Sequence, residues 1–458
     1  MSYDTLYFAV FLAAVWLAFD LLPGRGWTLL AGSIVFYSVA GLRDGLLATA
    51  IIIINFLFQF PIVRDRRWLY LALTINIGCL AYFKYRVFLA TSAGLDLFTG
   101  KIIIPLGISF YIFQLTAFLI DLARARAQPF SSLARFALFK LFFGQLVAGP
   151  IMRWRQFGPQ VNALFEEKSA GRRRPIGLGL GLCLLGLGKK IVLADSIAPF
   201  VDTIFRQGPA DPAAAWLGSW LFSFQIYFDF SGYSDIALGL GFIFGLRLAR
   251  NFDTPFCATN IQQLWQRWHI TLTQYFRDYV FLPLVDLRMG RRRRWQPFVA
   301  IVVTMGLCGL WHGAGWNFVL WGLLHGCALA TATAWPRALA PPVWLGWALT
   351  LLFFVITVPF FRADDLTIAL RYVGTMLGAG ASGVATVPSD GLGGAVVAIA
   401  CGLLLALHRL EAALLTKRSL WLLMRRDGMF LRALLAGACV WLLLLPKAQD
   451  TPFIYFRF

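Results

Sequence analysis

The sequence predicts an all-α, polytopic membrane protein, on three observations. Of its 458 residues, 59% are hydrophobic and only 14% charged, against roughly 25% charged in an ordinary soluble domain. Phe alone contributes 42 residues and Trp 17, more apolar surface than the polar groups present could cover in water. Apolar runs recur along the whole chain, and basic residues fill the gaps between them.

The runs follow in order. The first, 5–22, holds no Lys or Arg, and Arg25 comes directly after it. The bias of Lys and Arg toward cytoplasmic loops then sets the N-terminus outside, and the missing basic start argues against a cleaved leader. Runs 27–41, 46–63, 68–83 and 102–120 come next, with Arg64, Arg66 and Arg67 after the run ending at 63. Arg172, Arg173 and Arg174 precede runs 176–194 and 213–228. Arg288 and Arg291 to Arg294 precede 297–311, 314–335 and 343–361. The last runs, 391–407 and 433–446, are separated by Arg425 and Arg426. A crossing takes roughly 20 residues, ~17 at least, so the pattern gives about 11–13 membrane segments. The shorter runs are expected to be tilted or re-entrant helices shielded by protein. No boundary releases a soluble domain and no internal repeat is seen, so residues 1–458 read as a single integral membrane domain.

The formal net charge of +19 sits in loops and not on a soluble basic face, so nucleic-acid binding does not fit. None of the seven cysteines (Cys79, Cys183, Cys257, Cys308, Cys327, Cys401, Cys439) forms a C-x-x-C or metal-type spacing, and most read as small core residues. Cys308, near His312, is an alternative nucleophile.

Polar residues are costly at membrane depth, so their positions are informative. Three of the four histidines fall between residues 269 and 325. Wound as one helix, residues 264–279 put Trp265, Trp268, Leu272, Tyr275, Phe276 and Tyr279 on one arc, with Arg267, Thr271, Gln274, Arg277 and Asp278 opposite. Such an amphipathic helix lies along an interface or lines a polar cavity, with His269 at the edge of the apolar arc. His312 stands in Gly309-Leu310-Trp311-His312-Gly313-Ala314-Gly315, where the glycines suit a chain that bends closely around something. A neutral imidazole there can take a proton from a hydroxyl near pH 7. An interfacial anchor for His269 and a structural, backbone-bonded ring for His312 are the plain alternatives, and spacing alone leaves both open. His325 lies thirteen residues beyond His312, about 220° around an ideal helix. With no carboxylate between them, no zinc site is expected, and His325 reads as a packing residue. His408, beside Arg409, reads as a membrane-boundary residue. No nucleophile elbow, P-loop or dinucleotide fingerprint occurs with proper flanks, and the Gly-rich stretch 177–188 reads as small-residue helix contacts.

Further stretches accompany Arg267-Trp268-His269 and Trp311-His312-Gly313 in a fixed order. They are Pro105-Leu106-Gly107-Ile108-Ser109-Phe110-Tyr111, Gln145-Leu146-Val147-Ala148-Gly149-Pro150-Ile151, Gly188-Lys189-Lys190-Ile191-Val192-Leu193-Ala194-Asp195 and Tyr227-Phe228-Asp229-Phe230-Ser231-Gly232-Tyr233-Ser234-Asp235. Asn251-Phe252, Phe276-Arg277-Asp278-Tyr279 and Phe453-Ile454-Tyr455-Phe456 complete them. On these residues nearly the whole chain resembles the membrane-bound O-acyltransferase family, above all its alginate and cellulose O-acetylation branch, and more distantly the D-alanyl transfer protein of teichoic acids. The resemblance implies that His312 is the catalytic His and His269 the second active-site His. It also implies a helix bundle around a central tunnel open to both sides. Where the branch often has Pro-Leu-Gly-Gly, this chain has Pro283-Leu284-Val285-Asp286 before four Arg, so donor or partner docking there is expected to differ, with the Arg291–Arg294 loop meeting lipid headgroups.

The chemistry so implied is acyl transfer from a thioester to a hydroxyl, with His312 as general base and His269 orienting that group or polarising the thioester carbonyl. Asp229, Ser231 and Asp235 form a polar patch in an apolar stretch. Its carboxylates need partners, for which Lys189 or Arg267 is expected. Arg267, Trp311 and Asn317 complete the expected substrate-binding set, with Gln225 a further polar candidate. No metal or cofactor is expected. Acetyl-CoA is the donor by resemblance, an acyl-carrier protein the alternative. The expected setting is the bacterial inner (cytoplasmic) membrane. There the chain would pass acetyl groups to an extracytoplasmic acetyltransferase partner for O-acetylation of a secreted polysaccharide such as alginate or cellulose. Peptidoglycan or teichoic acid are rival acceptors. A transporter predicts matched halves with discontinuous helices, which the sequence lacks, and a scaffold requires His312 to be dispensable.

Overall fold

The computed structural model describes residues 3–39, 41–95, 104–145, 149–166, 174–286, 295–381, 383–384, 402–411, 428–445 and 454. Its helices run α1 (Leu6–Leu21), α2 (Arg25–Ser38), α3 (Leu42–Arg64), α4 (Arg67–Leu80), α5 (Arg86–Ser92), α6 (Ile108–Ala123), α7 (Leu133–Leu141), α8 (Trp154–Phe165), α9 (Ile176–Leu187) and α10 (Asp195–Gln207). They continue as α11 (Pro212–Ile243), α12 (Ile261–Arg267), α13 (Ile270–Phe276), α14 (Leu282–Asp286), α15 (Gln296–His312), α16 (Trp316–Ala334), α17 (Val343–Arg362) and α18 (Leu366–Met376). Residues 402–411 form α19 and Met429–Leu444 form α20. π-helical turns at Ala81–Tyr85, Gly188–Ala194 and Arg277–Phe281 extend α4, α9 and α13. The fold class is the one expected, helices with no strand among the described residues. The arginines at 172, 173, 288, 291–294, 425 and 426 lie outside those residues, as does most of the run 391–407.

Four described segments are long and apolar enough to cross a membrane unaided: 43–64 within α3, 176–207 spanning α9 and α10, α16 and α17. The shorter apolar helices α1, α6, α15 and α20 join them. α6 and α11 are buried nearly throughout, as helices apolar on every side must be. The peripheral helices turn Tyr7, Leu46, Tyr70, Trp344 and Phe430 outward, a surface suited to lipid and not to water.

Glycines let two helix pairs touch backbone to backbone. A Cβ on Gly179 would come within 2.7 Å of the Gly239 carbonyl, and one on Gly232 within 2.7 Å of the Gly186 carbonyl. The seven-residue spacing on both α9 and α11 keeps these small residues on one seam, as the Gly-rich stretch suggested. Gly309 on α15 and Gly322 on α16 act alike, since a Cβ on either would strike the carbonyl of Phe318 or Met305 opposite.

Two apolar cores result. One gathers α2, α6 and α7 around Phe118, Phe136 and Phe143. The other gathers α10, the first half of α11 and α17 around Phe224, Trp268 and Phe354. Trp311 belongs to the first and Trp321 to the second, so the end of α15 stands at the seam between them.

One expectation is corrected. Residues 264–279 are not one continuous amphipathic helix. Trp268 is extended and His269 adopts a left-handed backbone, φ 40°, which separates α12 from α13. The sequence contains neither Gly nor Pro at this point, so the break is imposed by what the bend touches.

Candidate active site

The bend is tied down on both sides. The Asp253 amide donates to the Arg267 carbonyl at 2.9 Å and the Ile270 amide to the Asn251 carbonyl at 2.8 Å. The Asn251 side chain accepts from the Thr271 hydroxyl at 2.6 Å, and that hydroxyl accepts from the Ile151 amide at 3.0 Å. Asn251 thus fixes the first turn of α13 and the orientation of His269 above it. The His269 ring is buried, edge-on to Phe230 at 4.7 Å and 6.1 Å from the Trp311 ring.

His312 is the last residue of α15. The chain reverses through Gly313, Ala314 and Gly315 into α16, closed by the Gly315 amide on the Gly313 carbonyl at 3.0 Å. A Cβ at Gly313 would collide with the Phe318 ring, so the tight reversal needs glycine there. The buried imidazole lies among Trp311 (4.9 Å), Phe361 (5.0 Å) and Trp321 (5.4 Å). Both histidines therefore meet one indole, that of Trp311. A small cavity of about 40 Å³ opens beside His312, lined by Lys84, Pro105, Ser109, Phe110, Trp311 and His312. A larger one, about 770 Å³ between α12, α16 and α17, touches neither histidine.

The other candidates have separate places. Asp229 pairs with Lys190 at 2.8 Å, and Lys190 also pairs with Asp195 at 2.8 Å. The second Asp229 oxygen accepts from the Ile454 amide at 2.8 Å. Asp235 pairs with Lys189 at 2.6 Å, and Lys189 with Glu411 at 2.5 Å, which also accepts from the Tyr227 hydroxyl at 2.8 Å. These buried ties join the π-turn after α9 to α10, α11, α19 and residue 454. Arg267, considered as a partner for these carboxylates, takes neither: their cations are Lys189 and Lys190, adjacent in sequence. Ser231 is buried on α11. Asn317 donates to the carbonyls of Phe360 (3.2 Å) and Ala363 (2.8 Å), holding the end of α17 beside His312. Gln225 is buried on α11, its carbonyl oxygen without a hydrogen bond among the described residues. His325 meets Thr357 at 3.0 Å and packs on Trp321 and Trp265. No group of three or more potential metal ligands occurs among the described residues.

Sequence reasoning missed Lys84. It is buried, and its ammonium donates to the Trp311 carbonyl at 2.5 Å. A lone Lys between Phe83 and Tyr85 at the end of an apolar run was the signal available.

Nine residues beyond His269, at Asp278, roughly 14 Å along a helix, lies an open basic mouth of about 500 Å³. Arg66, Arg124, Arg126, Asp278, Pro283 and Asp286 line it. Asp278 pairs with Arg153 at 2.5 Å and Arg277 at 2.7 Å. Partial burial alone would raise its carboxyl, but these two guanidinium groups hold it below the usual carboxylate range.

Two buried imidazoles beside one indole, in a helical membrane body, are groups able to take a proton from a hydroxyl and return it. The model of MBOAT, the membrane-bound O-acyltransferase family, matches residues 124–357. A peptidoglycan O-acetyltransferase of Helicobacter pylori is 36% identical over 394 residues, 77% of this chain and 73% of its own. A probable alginate O-acetylase AlgI of Azotobacter vinelandii is 34% identical over 376 residues, 78% of this chain and 73% of its own. A teichoic acid D-alanyltransferase of Streptococcus thermophilus is 29% identical over 241 residues, 51% of this chain and 57% of its own. The protein is thus a multi-pass membrane acyltransferase. It belongs to the membrane-bound O-acyltransferase family.

Proposed function

We propose that this protein is an O-acetyltransferase of the bacterial inner membrane that passes acetyl groups from a cytoplasmic thioester, acetyl-CoA, outward for O-acetylation of a secreted polysaccharide such as alginate or cellulose. The single observation that carries this is the placement of His312: a buried imidazole at the end of a membrane helix, beside a cavity, in a chain related to O-acetylases. In this reading an imidazole nitrogen of His312 takes the proton of the acceptor hydroxyl. The hydroxyl oxygen attacks the thioester carbonyl, and His269 stabilises the developing oxyanion or orients the hydroxyl. The tetrahedral intermediate collapses, the C–S bond breaks, and the imidazolium returns the proton to the leaving thiolate. Thioester and alcohol become ester and thiol.

Charge distribution supports the direction. By the bias of basic residues toward the cytoplasm, the segments just after α3 and α6, which hold Arg66, Arg124 and Arg126, face inward in this reading. That gives an anionic donor a cationic mouth. His312 lies at the other end of α15 from Gln296, about 25 Å away by helical rise, which suits an acceptor arriving from outside. An extracytoplasmic acetyltransferase then hands the group to the polymer. The 36% identity to a peptidoglycan O-acetyltransferase favours a second reading, with peptidoglycan as the final acceptor.

The two separate on where label goes. Cells carrying this protein are given labelled acetate, which they convert to labelled acetyl-CoA, and secreted polymer and sacculi are fractionated. Alkali-labile label in the polymer supports the first reading; label confined to sacculi replaces it with the second.

A further inference from the structure

The last carbonyls of an α-helix have no intrahelical donor, and α15 ends on the residue proposed as the base. Its terminal carbonyls are met from outside by two consecutive residues. The Tyr85 hydroxyl donates to the Leu310 carbonyl at 3.0 Å. The Lys84 ammonium donates to the Trp311 carbonyl at 2.5 Å and reaches the His312 carbonyl and the Ser109 hydroxyl at 3.4 Å each. Lys84 is only 7% exposed and lies 5.6 Å from the centre of the Trp311 ring. Both residues sit in the π-turn Ala81–Tyr85. Such turns are rare and cluster at functional sites; here one lets neighbouring side chains reach one helix end. A cation at a helix C-terminus also complements the dipole. Burying an ammonium is costly unless it is well paired, and a lysine spent only on helix ends could be served by a neutral donor. This one also lines the small cavity that Trp311 and His312 line.

We infer that Lys84 and Tyr85 are a positioning pair for His312, clamping the final turn of α15 so that the imidazole is held in a fixed place among Trp311, Trp321 and Phe361, a role that rests on reading His312 as the base. A displacement of the base by an ångström or so is worth about 100-fold in rate, so the pair governs turnover more than donor binding.

The test uses the full-length protein in native membranes lacking the chromosomal copy, with radiolabelled acetyl-CoA as donor and label in the envelope fraction as readout. Lys84→Met, Lys84→Arg, Tyr85→Phe and His312→Ala are compared at equal folded amount. The expected results are a fall in maximal rate of about 100-fold for Lys84→Met, with the KM for acetyl-CoA within about twofold of wild type. Tyr85→Phe falls by roughly threefold to tenfold, and Lys84→Arg recovers a large part of the lost rate by restoring a charged donor. A folded Lys84→Met with wild-type maximal rate overturns the inference. So does a Lys84→Met that loses rate while Lys84→Arg restores none of it. If Lys84→Met does not accumulate, Tyr85→Phe decides: an unchanged rate overturns the clamp. His312→Ala separates the failures. If it is inactive while the clamp variants are normal, the base reading stands and the clamp falls; if it is fully active, the base reading itself falls.

Discussion

His269 carries two separable demands, a ring and a left-handed backbone. Gly accepts φ near 40° freely, whereas a β-branched residue pays about 1–2 kcal/mol for it. His269→Asn, which tolerates a left-handed backbone, and His269→Val both remove a buried ring and are expected to transfer little acetyl, with His269→Val melting lower in detergent. A His269→Asn that melts no higher than His269→Val would remove backbone strain from the account. The lysine ties make a sharper case. Lys190 bridges Asp195 and Asp229, with all three side chains no more than 8% exposed. Lys190→Met leaves two buried carboxylates without their cation, a loss of about 3–5 kcal/mol. Adding Asp195→Asn and Asp229→Asn should recover much of that in a thermal melt; no recovery would mean that the cation is not what holds these groups.

At the scale of elements, the seam of α9 and α11 depends on missing side chains. Gly232→Val drives a branched side chain toward the Gly186 carbonyl, an overpacking worth about 1–3 kcal/mol. The expected readout is a lower melting temperature and a smaller monodisperse fraction, while Gly188→Ala, which meets nothing within 4 Å, stays near wild type. Much of this level was legible in the sequence. Apolar runs marked most of the helices, and Gly177–Gly188 announced its contact by composition. The break at His269 was not legible, because local periodicity across 264–279 is continuous and the bend is enforced by Asn251 and Asp253 from elsewhere in the chain. Lys190 was hidden for a related reason: Lys189 and Lys190 are neighbours, yet they serve different carboxylates across a π-turn. Lys84 was passed over because an apolar run is read by what it contains and not by the residue at which it ends.

At the scale of the molecule, the structure places a basic mouth beyond one end of α13 and His269, next to Trp311, at the other. Asp278 ties that mouth to Arg153 and Arg277. Its folded carboxyl titrates below its unfolded one, so its contribution is fully present above about pH 4. It is lost as pH falls through the lower folded value. Asp278→Asn should therefore flatten the acid limb of a stability–pH curve below about pH 4 and leave the neutral plateau only slightly lowered; an unchanged acid limb would show that the pairing carries no weight.

The claim on which the rest depends is that His312 performs the chemistry. The direct measurement is transfer of labelled acetyl from acetyl-CoA in membranes holding wild type, His312→Ala or His269→Ala at equal folded expression. A loss of about 10²–10⁴-fold in His312→Ala, with a marked loss in His269→Ala, is the predicted result. Equal label in all three would contradict it and leave the buried imidazoles as packing residues.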